Sequence, residues 1–112
     1  MPYPRFFTQF PEISLPFDPE VVSTRAVGSD RGLVVFFDVH RDVTVPQHSH
    51  GDQWGTVISG EVHLTVEGEI RVHRPGDDYF IAGGQLHSAM LPAGTQVMEV
   101  FAEHDRYPIK PD

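Results

Sequence analysis

Short runs of strand-forming residues, separated by turn residues at close intervals, dominate this chain and limit the folds open to it. Eight runs of four to eight residues are rich in β-branched and aromatic side chains: VVSTRAV (21–27), LVVFFDVH (33–40), WGTVIS (54–59), VHLTV (62–66), IRVH (70–73), DYFIA (78–82), HSAML (87–91) and QVMEVF (96–101). Turn sequences such as GSDRG, EGE and RPGD separate them. Because no window has a sustained 3.6-residue apolar period, the sequence predicts an all-β sandwich or barrel.

The length of the chain fixes its domain organisation. The 112 residues suffice for one domain and are too few for two ordinary ones, so residues 19–112 are predicted to form a single barrel. Residues 1–18, interrupted by Pro, are predicted to form an extended arm that packs on the barrel or on a second subunit; a partly ordered tail is the alternative. This segment carries five large apolar side chains: Phe6, Phe7, Phe10, Leu15 and Phe17. Because these side chains need cover from water, we expect a homodimer in which the arm crosses to the partner.

The charge and composition restrict the partners of the protein. A formal net charge of −8 and a pI near 5.2 argue against nucleic acid or an anionic membrane surface. The N-terminal stretch has no basic region followed by a long apolar segment, so we expect neither signal peptide nor membrane span, and a cytoplasmic location. The chain has no cysteine, so nitrogen and oxygen atoms must hold any metal. A small molecule is the expected partner.

The stretch PQHSHGDQWG, residues 46–55, places two histidines where they can act together. If this segment is extended, His48 and His50 point to the same face and can bind one ion. A solvated pair of loop histidines is the alternative, because the chain has seven histidines in all.

Two spacing patterns extend this observation. Residues 48–60 read HxH, two residues, Gln, six residues, Gly; residues 76–87 read Gly, five residues, Ala, one residue, Gly, two residues, His. These runs resemble the paired motifs of the cupin superfamily, G(x)5HxH(x)3,4E(x)6G and G(x)5PxG(x)2H(x)3N. The resemblance implies a small jelly-roll β-barrel with one divalent metal ion inside it.

The resemblance also implies the ligands. His48, His50 and His87 fall on the three histidine positions, and Gln53 falls on the fourth, which is usually Glu. Such ligands bind Fe, Ni, Zn, Mn or Cu, so the ligand set does not determine the identity of the metal. An amide in place of a carboxylate leaves the charge of the ion uncompensated, which favours an anionic small-molecule ligand. The alternative is that Gln53 orients a water or a histidine.

Four departures separate this chain from the cupin pattern. The first Gly of the first motif is absent, and the loop before Gln53 is one residue short. Ala82 replaces Pro, and Leu91 replaces the final Asn. None of these changes affects a histidine, so the metal prediction does not depend on them.

The last strand-forming run carries a carboxylate, Glu99, among apolar residues. If residues 97, 99 and 101 face the interior, Glu99 lies near the metal and can act as a general base; the alternative is that it faces solvent. Alternation also points Tyr79 inward, so Tyr79 and Phe101 are predicted pocket residues.

This run is also similar to the last strand of the single-domain cupins of pectin degradation, which linearise unsaturated uronates. Those proteins end in an acidic-Val-Phe strand followed by a tail with His and Arg. The similarity implies catalytic roles for Glu99 and for Arg106, which would hold a substrate carboxylate. The family has Asp where this chain has Glu, and Arg106 lies one place later than the family's Arg.

Three functions fit these residues. The leading one is a metal-dependent enzyme acting on a small anionic substrate, sugar-derived or enolisable, with linearisation of unsaturated uronates as an example. The second is a three-histidine Fe(II) cupin dioxygenase, which needs open coordination positions for O2. The third is a non-catalytic cupin that binds a small ligand. Fold alone does not distinguish them.

Overall fold

The structure, a computed structural model, describes residues 3–111 and is built almost entirely of β-strands. Its described elements are a 3-10 helix Arg5–Gln9 and the strands β1 Val22–Ser29, β2 Gly32–Val39, β3 Val43–His48, β4 Gln53–Ser59, β5 Val62–Val66, β6 Glu69–His73, β7 Asp78–Ile81, β8 His87–Leu91 and β9 Gln96–Phe101. Between residues 3 and 111, no helix has the length and apolar character needed to cross a membrane. The predicted all-β class is confirmed.

The strands form two antiparallel sheets that enclose the core. One sheet has the order β1-β2-β9-β4-β7, and the other has the order β3-β8-β5-β6. Alternation decides which side chains face inward: Val62 and Leu64 on β5, and Tyr79 and Ile81 on β7, are buried as predicted. β3 lies outside the eight predicted runs because Pro46 interrupts its apolar pattern. It is an edge strand, where Pro is tolerated.

Strand pairing brings the motif residues to one end of the barrel. His48, the last residue of β3, pairs with His87, the first residue of β8. On the facing sheet, Gln53 at the start of β4 lies opposite Phe101 at the end of β9. Glu99 lies one layer further in, opposite Gly55. Two distant motifs therefore meet because their strands end at the same level.

The N-terminal segment packs on its own barrel. The hydroxyl of Tyr3 donates a hydrogen bond of 2.6 Å to the carbonyl oxygen of Phe37. The ring centroids of Phe7 and Phe36 are 4.6 Å apart. Ile13 is buried and forms a β-bridge with Ile109. The homodimer, with an arm that crosses to the partner, stays a prediction.

A test of the fold uses two glycines in left-handed conformations. Gly60 has φ +74°, and a Cβ there would lie 2.6 Å from the Cα of the buried Thr95. Gly68 has φ +80°, but within the described residues an added Cβ meets nothing closer than 4 Å. We expect Gly68→Ala to lower the free energy of unfolding by about 1 kcal/mol through backbone strain alone. Gly60→Ala should cost about 3 kcal/mol or more because overpacking adds to that strain.

Urea denaturation of the two variants and the wild type measures this difference. Equal losses for Gly60→Ala and Gly68→Ala would show that the approach of Gly60 to Thr95 does not constrain the fold.

Candidate metal centre

Three histidine side chains converge at the open end of the barrel. The ring centroids are 4.2 Å apart for His48 and His87, 4.9 Å for His50 and His87, and 5.2 Å for His48 and His50. One nitrogen from each ring lies within 4.8 Å of those of the other two. The three side chains are therefore close enough to bind a single ion.

Hydrogen bonds to the backbone set the tautomer of each ring. The Nδ1 atoms of His48, His50 and His87 lie 2.8, 2.9 and 3.0 Å from the carbonyl oxygens of Pro46, Gly51 and Gln85, respectively. A carbonyl only accepts hydrogen bonds, so each Nδ1 carries the hydrogen and each Nε2 keeps a lone pair. This is the form of imidazole that binds a metal.

The remaining ring nitrogens fit a metal ion. Within residues 3–111, the buried Nε2 atoms of His50 and His87 have no hydrogen-bond partner. A buried acceptor without a partner is costly, and a divalent ion at this point would satisfy it. Burial also lowers the pKa of both imidazoles, and the positive charge of Arg106 adds to this effect. His50 and His87 therefore favour the neutral form that binds a metal.

Gln53 reaches the same cavity despite the short loop before it. Its side chain is buried, and its Nε2 donates a hydrogen bond to the carboxylate of Glu99. Because the carboxylate accepts, the amide nitrogen must face Glu99 and the amide oxygen must face away. That buried oxygen has no hydrogen-bond partner in the described part of the chain. Gln53 thus presents an oxygen atom of the kind that a divalent ion accepts.

Glu99 faces the interior, as one of the two sequence interpretations required. It lines the cavity, and its carboxylate accepts hydrogen bonds from Gln53 and, at 3.1 Å, from the hydroxyl of Tyr79. Burial raises the pKa of Glu99 to about 7, although both donors and the charge of Arg106 act in the opposite direction. The glycine at position 55 makes room for the phenol, because a Cβ there would lie 2.5 Å from the Tyr79 ring.

The C-terminal tail contributes charge and cover. The guanidinium of Arg106 lies 4.2 Å above the ring of Tyr107, and Tyr107 itself lines the cavity. Phe101, a predicted pocket residue, is buried behind His50, and the centroids of the two rings are 5.7 Å apart. Tyr79, the other predicted pocket residue, lies on the cavity wall. Arg106 therefore acts on the site through its charge, and Phe101 supports His50 from behind.

The cavity has a volume of about 90 Å³, which exceeds the space needed for a single water. Leu15 and Phe17 line it together with Tyr107, and the sequence interpretation had assigned none of them to the site. Glu103 was also missed: its carboxylate accepts the backbone N–H of Gly51 at 2.6 Å and anchors the loop that holds His50. These residues lie outside the alternating strands, so no periodicity could have identified them.

Comparison with known proteins agrees with this architecture. No family model matches the sequence, and no curated protein sequence matches it. The structure is similar to KdgF from Halomonas sp., with a TM-score of 0.71 and 21% identity over 94% of this chain and 91% of that one. It is also similar to an RmlC-like cupin from Shewanella frigidimarina, with a TM-score of 0.74 and 23% identity over 88% of each chain.

A third similar structure is the oxalate decarboxylase of Bacillus subtilis, with a TM-score of 0.71 and 19% identity over 88% of this chain and 29% of that one. These likenesses confirm the fold that the motif spacings predicted. The chain has the cupin fold, a jelly-roll β-barrel, with a cluster of three histidines that could bind a metal ion.

Metal binding can be tested by removing two histidines together. Wild-type protein should bind one divalent ion per chain in a calorimetric titration with Zn²⁺, and His48→Ala combined with His87→Ala should abolish that binding because one imidazole cannot hold the ion. His63→Ala is the matched control, since His63 lies on β5 and pairs with Glu61 at 2.9 Å. Stoichiometric zinc in the double variant would place the site elsewhere.

Proposed function

We propose that this protein is a metal-dependent enzyme that acts on a small anionic, enolisable substrate. The observation that carries the proposal is the presence of an oriented carboxylate, Glu99, in the same cavity as three inward-facing histidine nitrogens. His48, His50 and His87 would hold one divalent ion, and the ion would supply Lewis-acid polarisation of a substrate oxygen.

The charge of this donor set supports an anionic substrate. Three neutral imidazoles and the amide oxygen of Gln53 cancel none of the charge of a divalent ion. Gln53 would coordinate through Oε1 or position the substrate beside Glu99. The choice among Fe, Ni, Zn, Mn and Cu stays open, because all of them accept such ligands. The similar oxalate decarboxylase is described with Mn(II) centres.

Glu99 would move the proton. Two donors, Gln53 and Tyr79, orient its carboxylate toward the cavity, where a substrate carbon next to a polarised carbonyl could lie. Arg106 would hold a substrate carboxylate through charge-assisted hydrogen bonds. Its buried Nε has no hydrogen-bond partner among the described residues, and its charge already acts on His50, His87 and Glu99.

Two observations make unsaturated uronates the first substrates to test. Glu99, Val100 and Phe101 match the last strand of the pectin-degradation cupins, and the structure is similar to a KdgF. The three-histidine set without a carboxylate ligand supports a second candidate, an Fe(II) dioxygenase, which oxygen consumption would reveal. A non-catalytic binding cupin would bind ligand without turnover.

Removal of the carboxylate of Glu99 tests the base. Glu99→Gln is nearly isosteric, so it should keep the metal and lose roughly two to four orders of magnitude in turnover, as expected for a removed general base. The measurement follows the ultraviolet absorbance of an unsaturated uronate and of a β-dicarbonyl enolate in metal-replete protein. Glu61→Gln, which changes a carboxylate beside His63, is the control. Unchanged turnover in Glu99→Gln would remove Glu99 from the mechanism.

Removal of the guanidinium of Arg106 tests the anion contact. Arg106→Ala should raise KM by roughly ten- to hundredfold and change kcat less, since a charge-assisted hydrogen bond to the substrate is lost. Arg71→Ala, at an exposed arginine paired with Glu69, is the control. A change confined to kcat would show that Arg106 does not hold the ground-state substrate.

A further inference from the structure

The cavity has a polar end and an apolar end, and strand register defines both. The pair His48–His87 marks the polar end, and Val43 pairs with Leu91 further along the same two strands. Four residues on β8 separate the two pairs, a distance of about 13 Å at roughly 3.3 Å per residue. A ligand head at the histidines would therefore direct the rest of the molecule toward Val43 and Leu91.

The side chains at the apolar end offer a ligand no hydrogen bonds. Beyond Glu99 and Tyr79, the described residues that line this end are aliphatic or phenylalanine, and both sheets contribute to them. They include Phe37, Val39, Val43, Val62, Leu91 and Val97. The polar atoms of the wall belong to the three histidines, Gln53, Glu99 and two tyrosines near them. A hydroxyl group on the distal part of a ligand would lose its water and gain no partner.

We propose that the ligand is an amphiphilic monoanion with a chelating head and a short apolar tail. The head is a 2-oxo acid or a β-dicarbonyl enolate that faces the three histidines, and the tail is a hydrocarbon chain that extends between the two sheets. This inference rests on the proposed function, because it takes the histidines as the site of the metal. It narrows the substrate to enolisable acids without distal hydroxyls, in place of sugar acids.

A matched pair of ligands tests the tail. 2-Oxohexanoate and 4,5,6-trihydroxy-2-oxohexanoate share the head and the six-carbon chain and differ in three distal hydroxyls. Calorimetric titration of Zn²⁺-loaded protein should give at least roughly a hundredfold tighter binding of 2-oxohexanoate, because each unpaired hydroxyl weakens binding about fivefold or more. From 2-oxopropanoate to 2-oxohexanoate, affinity should rise about fourfold for each added methylene.

A variant at the apolar end provides a second measurement. Val43→Thr keeps the side-chain volume and adds a hydroxyl where the tail would lie. It should weaken binding of 2-oxooctanoate, whose chain is long enough to approach Val43, about tenfold and leave binding of 2-oxopropanoate unchanged, because the methyl group of the shorter acid does not reach Val43. Equal weakening of both acids would indicate a general structural effect and would contradict the proposed position of the tail.

The outcomes separate this inference from the function on which it rests. Equal or tighter binding of the trihydroxy acid overturns the apolar tail and leaves the metal and the anionic head in place. Zinc binding without binding of any of these acids overturns the anionic head and the tail together. Failure to bind zinc overturns the proposed function and, with it, this inference.

Discussion

Three hydrogen bonds from histidine Nδ1 atoms to backbone carbonyls determine what this site can do. They fix the tautomer of each imidazole and leave a lone pair on each Nε2, and one nitrogen from each ring lies within 4.8 Å of those of the other two. The carbonyls belong to Pro46, Gly51 and Gln85, which lie within two residues of their histidines. The backbone path around each histidine therefore sets the position of its ring. Folding places two of these acceptors, on His50 and His87, in the interior without a partner from residues 3–111, and a bound ion removes that cost.

The carboxylate expected at the fourth ligand position of a cupin lies one residue layer deeper in this protein. Gln53 falls on the motif position that is usually Glu, and its amide nitrogen donates a hydrogen bond to Glu99 behind it. An ion at the histidines would therefore keep its full charge toward a ligand, while a carboxylate remains nearby to move a proton. Gly55 is part of this arrangement, since only a residue without a side chain leaves space for the Tyr79 phenol that also bonds Glu99.

Much of the barrel could be predicted because alternation along a strand reports which face is buried. The pattern placed Val62, Leu64, Tyr79 and Ile81 inside, and the structure confirms it. β3 was harder to predict as a strand, since Pro46 breaks its pattern and edge pairing is a long-range property. Motif spacing grouped the histidines without any knowledge of the sheet order.

Contacts made by irregular segments could not be predicted from local pattern. Leu15 and Phe17 were recognised as apolar side chains that need cover, but their position on the cavity wall depends on how the N-terminal segment crosses the barrel. One of the two interpretations of the last strand placed Phe101 inward, but it did not reveal that the His50 ring lies against Phe101. Glu103 and Tyr107 follow the last strand, where sequence periodicity has ended.

The central claim is that three imidazoles hold one divalent ion, and X-ray absorption spectroscopy of zinc-loaded protein tests it most directly. We expect scattering from three imidazole rings with zinc–nitrogen distances of about 2.0–2.1 Å, together with oxygen donors. Zinc surrounded by oxygen alone, or by fewer than two imidazoles, would contradict a metal centre built from His48, His50 and His87.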